Sequence, residues 1–210
     1  MRGWCTAVAG AAVMAAGQSV TAAHVAASTP GLNVCIVASA TLTLSAGERD
    51  IALAEANVIW RRYDVHIRWT DDADENCGRK VLIRPDTDAA PSEAAHESAV
   101  GWVPFVEGRA RRLIFLRVAR TRRLISDINK GSRPEAMDSL LFAKFIGRGL
   151  AHELGHVILN SRSHPAKGLM RGRYSPGDVL GSSARSYTLS SAERAMLLAA
   201  IGEEVRLTAR

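Results

Sequence analysis

Apolar residues gather in short stretches bounded by polar or turn residues, and in one of them, Val65 to Trp69, apolar and polar positions alternate with period two. Leu32-Asn33-Val34-Cys35-Ile36-Val37 follows Pro30-Gly31 and predicts a first strand. Val65-His66-Ile67-Arg68-Trp69 predicts a second, and Lys80 to Arg84 a third. Gly101 to Phe105 is extended, with Pro104 suited to a sheet edge, and Arg111 to Val118 is the longest strand candidate. Between the first two strands the period changes. Ser45-Ala46-Gly47-Glu48 has capping-box spacing, so a helix is expected to about Arg62, with Ile51, Val58 and Ile59 on its apolar side. Ser132-Arg133-Pro134-Glu135 is a second such box, opening a long helix over about 134–159. Ser190-Ser191-Ala192-Glu193 is a third, opening a last helix that ends at Gly202. Residues 71–78, 85–100 and 160–188 read as loops, and 119–131 as a basic connection. Strand, helix, several strands, long helix, loop and helix make an α+β chain, with most of the sheet preceding the long helix.

The first residues need a separate reading. Arg2 is a short positive segment, Trp4 to Val20 is apolar or small, and Thr21-Ala22-Ala23 supplies small residues suited to cleavage. Residues 1–23 therefore read as an export signal, too short and alanine-rich for a membrane anchor. Residues 24–210 make one ordinary domain, placed in the periplasm or outside the cell. Cys5 leaves with the signal, so Cys35 and Cys77 remain to form one disulfide in an oxidising compartment.

Formal net charge is +6, and arginines crowd residues 109–123. Only Phe115 interrupts that run as an aromatic, which does not suit nucleic-acid binding. A solvated strand and loop rich in arginine is expected there.

The chemistry concentrates in HELGHVILNSRSHPAKGLM, from His152 to Met170. On a helix His152 and His156 lie one turn apart on one face, so both imidazoles can approach one metal ion. Glu153 is then placed to reach a water in the open metal position. With this chain's histidine and glutamate content, about one chain in a hundred would contain the motif by accident. A catalytic site needs a third protein ligand, and His164 is the candidate. Asn160 and Ser161 are turn formers that could bring it back beneath the metal. Glu193 and Asp178 compete for that role. His24, His66 and His96 lie outside the motif and read as ordinary loop and strand residues. Gly149, one turn before His152, leaves room on the ligand side.

These residues resemble the metzincin clan of zinc metallopeptidases, whose pattern is HExxHxxGxxH followed by a turn carrying a methionine. His152, Glu153 and His156 match it, and Gly168-Leu169-Met170 resembles the Met-turn. The same segment resembles a group of uncharacterised bacterial exported proteins with a zincin-like motif. The chain departs from the clan at two places. Leu159 stands where the clan has glycine, and Arg162 where it has the third histidine, so His164 comes two residues late.

The resemblance implies a small twisted mixed sheet, one zinc ion, Met170 as a structural Met-turn residue, and Tyr174 as a candidate stabiliser of the tetrahedral intermediate. It implies peptide hydrolysis, with Glu153 as general base and the substrate added to an edge strand near 101–106 or 111–118. The contrasting expectation is an exported binding or scaffold protein that keeps the fold without the activity. Peptide or protein substrates are the expected partners, with no nucleic acid and no membrane anchor.

Overall fold

The computed structural model describes residues 31–70, 77–86, 100–129, 134–175, 177–178 and 183–208. The export-signal expectation, His24, His96 and Ser132 lie outside these residues.

Five strands form one mixed sheet. In spatial order they are β2 (Val65–Trp69), β1 (Leu32–Ala38), β3 (Arg79–Pro85), β7 (Leu113–Leu116) and β4 (Gly101–Trp102). The first four are parallel neighbours, and β4 pairs antiparallel with β7 through Gly101↔Leu116 and Trp102↔Phe115. A separate two-stranded hairpin, β5 (Phe105–Val106) with β6 (Arg109–Ala110), follows the β4 edge. Cys35 and Cys77 form a disulfide that joins β1 to the approach to β3.

Helix α1 (Ala46–Trp60) makes the crossover from β1 to β2. Its capping box is reciprocal: Ser45 Oγ accepts from the Glu48 N–H at 3.2 Å, and the Glu48 carboxylate accepts from the Ser45 N–H at 2.9 Å. Buried Asn57 fastens the helix to β2, accepting from the Ile67 N–H at 3.0 Å and donating to the Ile67 carbonyl at 2.8 Å. An amide side chain with both ends satisfied can sit in a core without the cost of an orphaned polar group. The buried face is Ala52, Ala56, Ile59 and Trp60, whereas Val58 is half exposed. Small alanines let α1 approach the long helix α3 (Glu135–Leu159) closely, so they, rather than Val58, define the packed stripe.

Three further expectations change. The strand expected over 111–118 is only Leu113–Leu116, because Val118 already starts helix α2 (Val118–Asn129), where a basic connection was expected. Val118, Thr121 and Ile125 are buried at helical spacing beneath a polar surface. The arginines there are partly paired rather than simply solvated. Arg117 bonds Asp86 at 2.8 Å; Arg122 bonds Glu48 at 2.8 Å and lies 3.9 Å over the Phe142 ring. Next, α3 begins at Glu135 with Pro134 as its N-cap, while Ser132 of the expected box lies outside the described residues. Finally, α4 (Ser191–Thr208) continues through Gly202 instead of stopping there.

The main core lies between the sheet and the paired helices α1 and α3. Trp60 is its largest fully buried side chain, and its indole N–H donates to the Ala151 carbonyl at 3.0 Å. That bond fixes the two helices one residue before His152.

Candidate metal centre

His152 and His156 project from the last turns of α3 and are buried; His164 follows in an exposed loop. What brings His164 back is the end of the helix. Asn160 is the C-cap, in the left-handed conformation (φ 47°, ψ 46°), and its N–H donates to the His156 carbonyl. Its side-chain oxygen accepts from the Ala110 N–H at 2.8 Å, tying the turn to the β5–β6 hairpin. Leu159 remains helical, so the left-handed turn falls one residue after the position where the metzincin pattern has glycine. Past this later turn it is His164, not Arg162, that reaches the other two rings. Arg162 instead lies 4.6 Å over the Phe105 ring, whose edge meets His156 at a centroid distance of 6.3 Å.

The three Nε2 atoms converge. Their separations are 3.1 Å between His152 and His156, 3.1 Å between His156 and His164, and 3.3 Å between His152 and His164. The outer nitrogens show what such contacts can be. His152 Nδ1 is 2.8 Å from the Leu169 carbonyl oxygen, and His156 Nδ1 is 2.6 Å from that of Ser161. A carbonyl can only accept, so each Nδ1 carries the proton and each Nε2 of this pair presents a lone pair. Two lone pairs at 3.1 Å cannot hydrogen-bond each other; a cation between them resolves the conflict. Tetrahedral zinc with Zn–N of about 2.0–2.1 Å places its nitrogens about 3.3 Å apart. The donor set therefore fits zinc. Among the described residues, His152, His156 and His164 are the cluster that could hold a metal ion.

Burial tunes the same groups. His152 is held down to about 3, by burial first and then by the neighbouring His156; His156 is held down to about 4, again mainly by burial. Both are neutral at pH 7, the form that binds metal. Burial pushes the Glu153 carboxyl up to about 8. Glu153 lies beneath the sheet edge: a Cβ placed on Gly101 of β4 would stand 3.2 Å from Glu153 Cγ. Gly149 has a different use from the expected one. It makes room for Val100, whose Cγ1 would lie 2.5 Å from a Cβ there.

Met170 is fully buried, and its sulfur lies directly against Gly155, so that a Cβ at Gly155 would overlap Sδ. It thus sits under the turn of α3 that separates the two helical ligands. Gly168, at φ +89°, starts this segment, and the Leu169 N–H donates to the Thr188 carbonyl at 2.8 Å. That bond ties the start of the segment to the residues before α4. Gly172 backs the third ligand; a Cβ there would meet His164 Cβ at 3.2 Å.

The competing third ligands are committed elsewhere. Glu193 caps α4, accepting from the Ser190 N–H at 2.6 Å, and Asp178 pairs with Arg171 at 2.8 Å and with Ser175 Oγ at 2.7 Å. His66 is an exposed residue of β2. Tyr174 touches the site from an unexpected direction. Its hydroxyl donates to the Leu169 carbonyl at 2.6 Å and lies 3.2 Å from His152 Nδ1, behind the ring rather than beside Nε2. Burial, then Tyr187, raise its pKa, so the phenol keeps its proton.

Sequence reasoning missed the carbonyls of Leu169 and Ser161, Phe105, and the contact of Gly155 with Met170. Backbone acceptors carry no residue signature; the glycine inside HELGH could have suggested a close approach from below.

No protein-family model matches the sequence, and comparison with curated proteins finds no relative. Among solved structures, the crystal structure of the archaemetzincin of Methanopyrus kandleri is similar at 13% sequence identity, covering 82% of this chain and 97% of that chain with a TM-score of 0.48. At that level the likeness is one of general shape.

Proposed function

We propose that the chain is an exported zinc-dependent peptidase. The observation that carries this reading is the convergence of three Nε2 atoms, two of them aproton by virtue of their carbonyl-bound Nδ1 atoms, beside the buried carboxyl of Glu153. His152, His156 and His164 would hold the ion, leaving its fourth position open. When bound, zinc supplies a Lewis acid and makes water more acidic. The chain's own groups do the rest. Glu153 takes the water proton as general base and hands it to the leaving amine. Bound cation would draw its carboxyl down from the raised value into the base form. Among the described residues strand β4 is an edge of the sheet, and its Gly101 lies against Glu153, so an extended peptide added beside Gly101–Trp102 would run next to the general base. Export is supported by the pattern of residues 1–23 and by the Cys35–Cys77 disulfide, which suits an oxidising compartment. No helix among the described residues is long and apolar enough to cross a membrane.

The test is Glu153→Gln in zinc-loaded protein, assayed against a mixed peptide library. Zinc content should stay as in the wild type while cleavage falls by a factor on the order of 10² to 10⁴. Unchanged cleavage would remove Glu153 from the mechanism, and a wild type that binds zinc but cuts no peptide would favour the binding-protein reading.

A further inference from the structure

Tyr174 sits where its hydroxyl has two neighbours, and both belong to the His152 support. We propose that Tyr174 is a positioning residue for His152, setting the orientation and tautomer of the first metal ligand from behind, and that it does not reach the open face. The inference rests on the reading of the triad as a metal centre.

A phenol has one proton and two lone pairs. The proton goes to the Leu169 carbonyl, 2.6 Å away. A lone pair then faces His152 Nδ1 at 3.2 Å, beside the 2.8 Å contact from that nitrogen to the same carbonyl. Leu169 O can accept from both, since a carbonyl oxygen has two lone pairs. The His152 N–H is thus shared between two acceptors, both of which require the proton on Nδ1. That leaves Nε2 bare for a cation. Tyr174 and His152 also meet edge to face, with centroids 6.0 Å apart, so the ring is held in its plane as well as by its proton.

The tyrosine is itself held. Its ring stacks on Tyr187 at 5.5 Å, and the Arg171 guanidinium lies 4.5 Å over it and 5.3 Å over Tyr187. Arg171 is anchored by Asp178 at 2.8 Å. Arg148 lies 5.4 Å over the far ring and bonds Glu55 of α1 at 2.7 Å. A chain of packed rings and ion pairs therefore runs from α1 to the back of His152. Swinging Tyr174 toward the open face would break its hydrogen bond and unstack it from both neighbours.

Tyr174→Phe isolates the hydroxyl, because the ring, its stacking and the Arg171 contact stay. The measurement is zinc affinity by chelator competition, with the visible spectrum of the cobalt-substituted protein as a second readout. Tyr187→Phe serves as a control for loss of a nearby phenol that does not touch His152; its hydroxyl donates to the Asp178 carbonyl instead. Zinc affinity should fall about tenfold or more in Tyr174→Phe, the usual effect of removing an outer partner of a ligand, and the cobalt bands should move. Tyr187→Phe should change neither. Wild-type affinity and spectrum in Tyr174→Phe would overturn the proposal, and slower peptide cleavage on top of that would place the hydroxyl at the open face. If the wild type itself bound no zinc, the metal centre would fall first, and this proposal with it.

Discussion

The late third histidine is accommodated by one residue, and that residue can be tested alone. Asn160 does two things: it ends α3 in the left-handed region, and its side chain accepts the Ala110 N–H. Asn160→Ala removes both. An ordinary L-residue at φ near 47° costs about 1–2 kcal/mol, and a lost hydrogen bond at an exposed site about 0.5–1.5 kcal/mol. The alanine variant should therefore lose about 2–3 kcal/mol of stability. Asn160→Gly keeps the left-handed turn at little steric cost and loses only the side-chain bond, so about 1 kcal/mol is expected. Urea unfolding of the metal-free proteins measures the difference. Zinc affinity should follow the same order, because the turn sets the return of His164. Equal destabilisation by alanine and glycine would refute the claim that left-handed geometry is what lengthens the turn. A neutral alanine variant would refute both contributions.

Further outcomes follow from the same packing. Gly155→Ala pushes a methyl into Met170 Sδ beneath the ligand helix; overpacking of this kind should cost about 1–3 kcal/mol, and an unchanged thermal midpoint would show that Met170 moves aside freely. The pH dependence of the metal-free protein has a worked sign. Burial holds His152 and His156 down to about 3 and 4 in the fold against 6.5 unfolded, so stability is lost as pH falls below 6.5, by up to about 3 kcal/mol per pH unit for the pair. Burial pushes Glu153 up to about 8 against 4.5 unfolded, so its contribution is present at low pH and lost as pH rises between those values, by about 1 kcal/mol per unit. These three groups together put the optimum near pH 6.5. Thermal melts from pH 4 to 9 check it, and a midpoint that climbs as pH drops from 6.5 to 5 would contradict the burial of the two histidines.

Much of the architecture was legible because it is written in local signals. The reciprocal box at Ser45 and Glu48, the β-branched run Leu32–Val37 after Pro30-Gly31 and the alternation in Val65–Trp69 each needed only neighbours a few residues apart. The histidine pair needed only helical spacing. Asn160 marked the turn because asparagine tolerates left-handed backbone, and His164 then lay within reach. Most of what failed depended on partners distant in sequence. Helix α2 was hidden in an arginine run, because its identity rests on Val118 and Ile125 meeting the core and on Arg122 finding Glu48 and Phe142. Val58 has the right residue type for a packed face, but the close crossing of α1 and α3 selects alanines instead. Gly202 looked like a stop, yet a glycine only weakens a helix by about 1 kcal/mol, and α4 continues past it. The role expected of Tyr174 came from the clan resemblance alone, and the Leu169 carbonyl that accepts from its hydroxyl has no side-chain signature.

The most direct measurement is the metal content of the protein spanning residues 24–210, purified without a histidine tag, beside its His164→Ala variant. One zinc per wild-type chain, lost or greatly weakened in the variant, is the predicted result. A folded wild type that takes up no zinc when the ion is added back, or a variant that holds it equally well, would contradict the three-histidine centre.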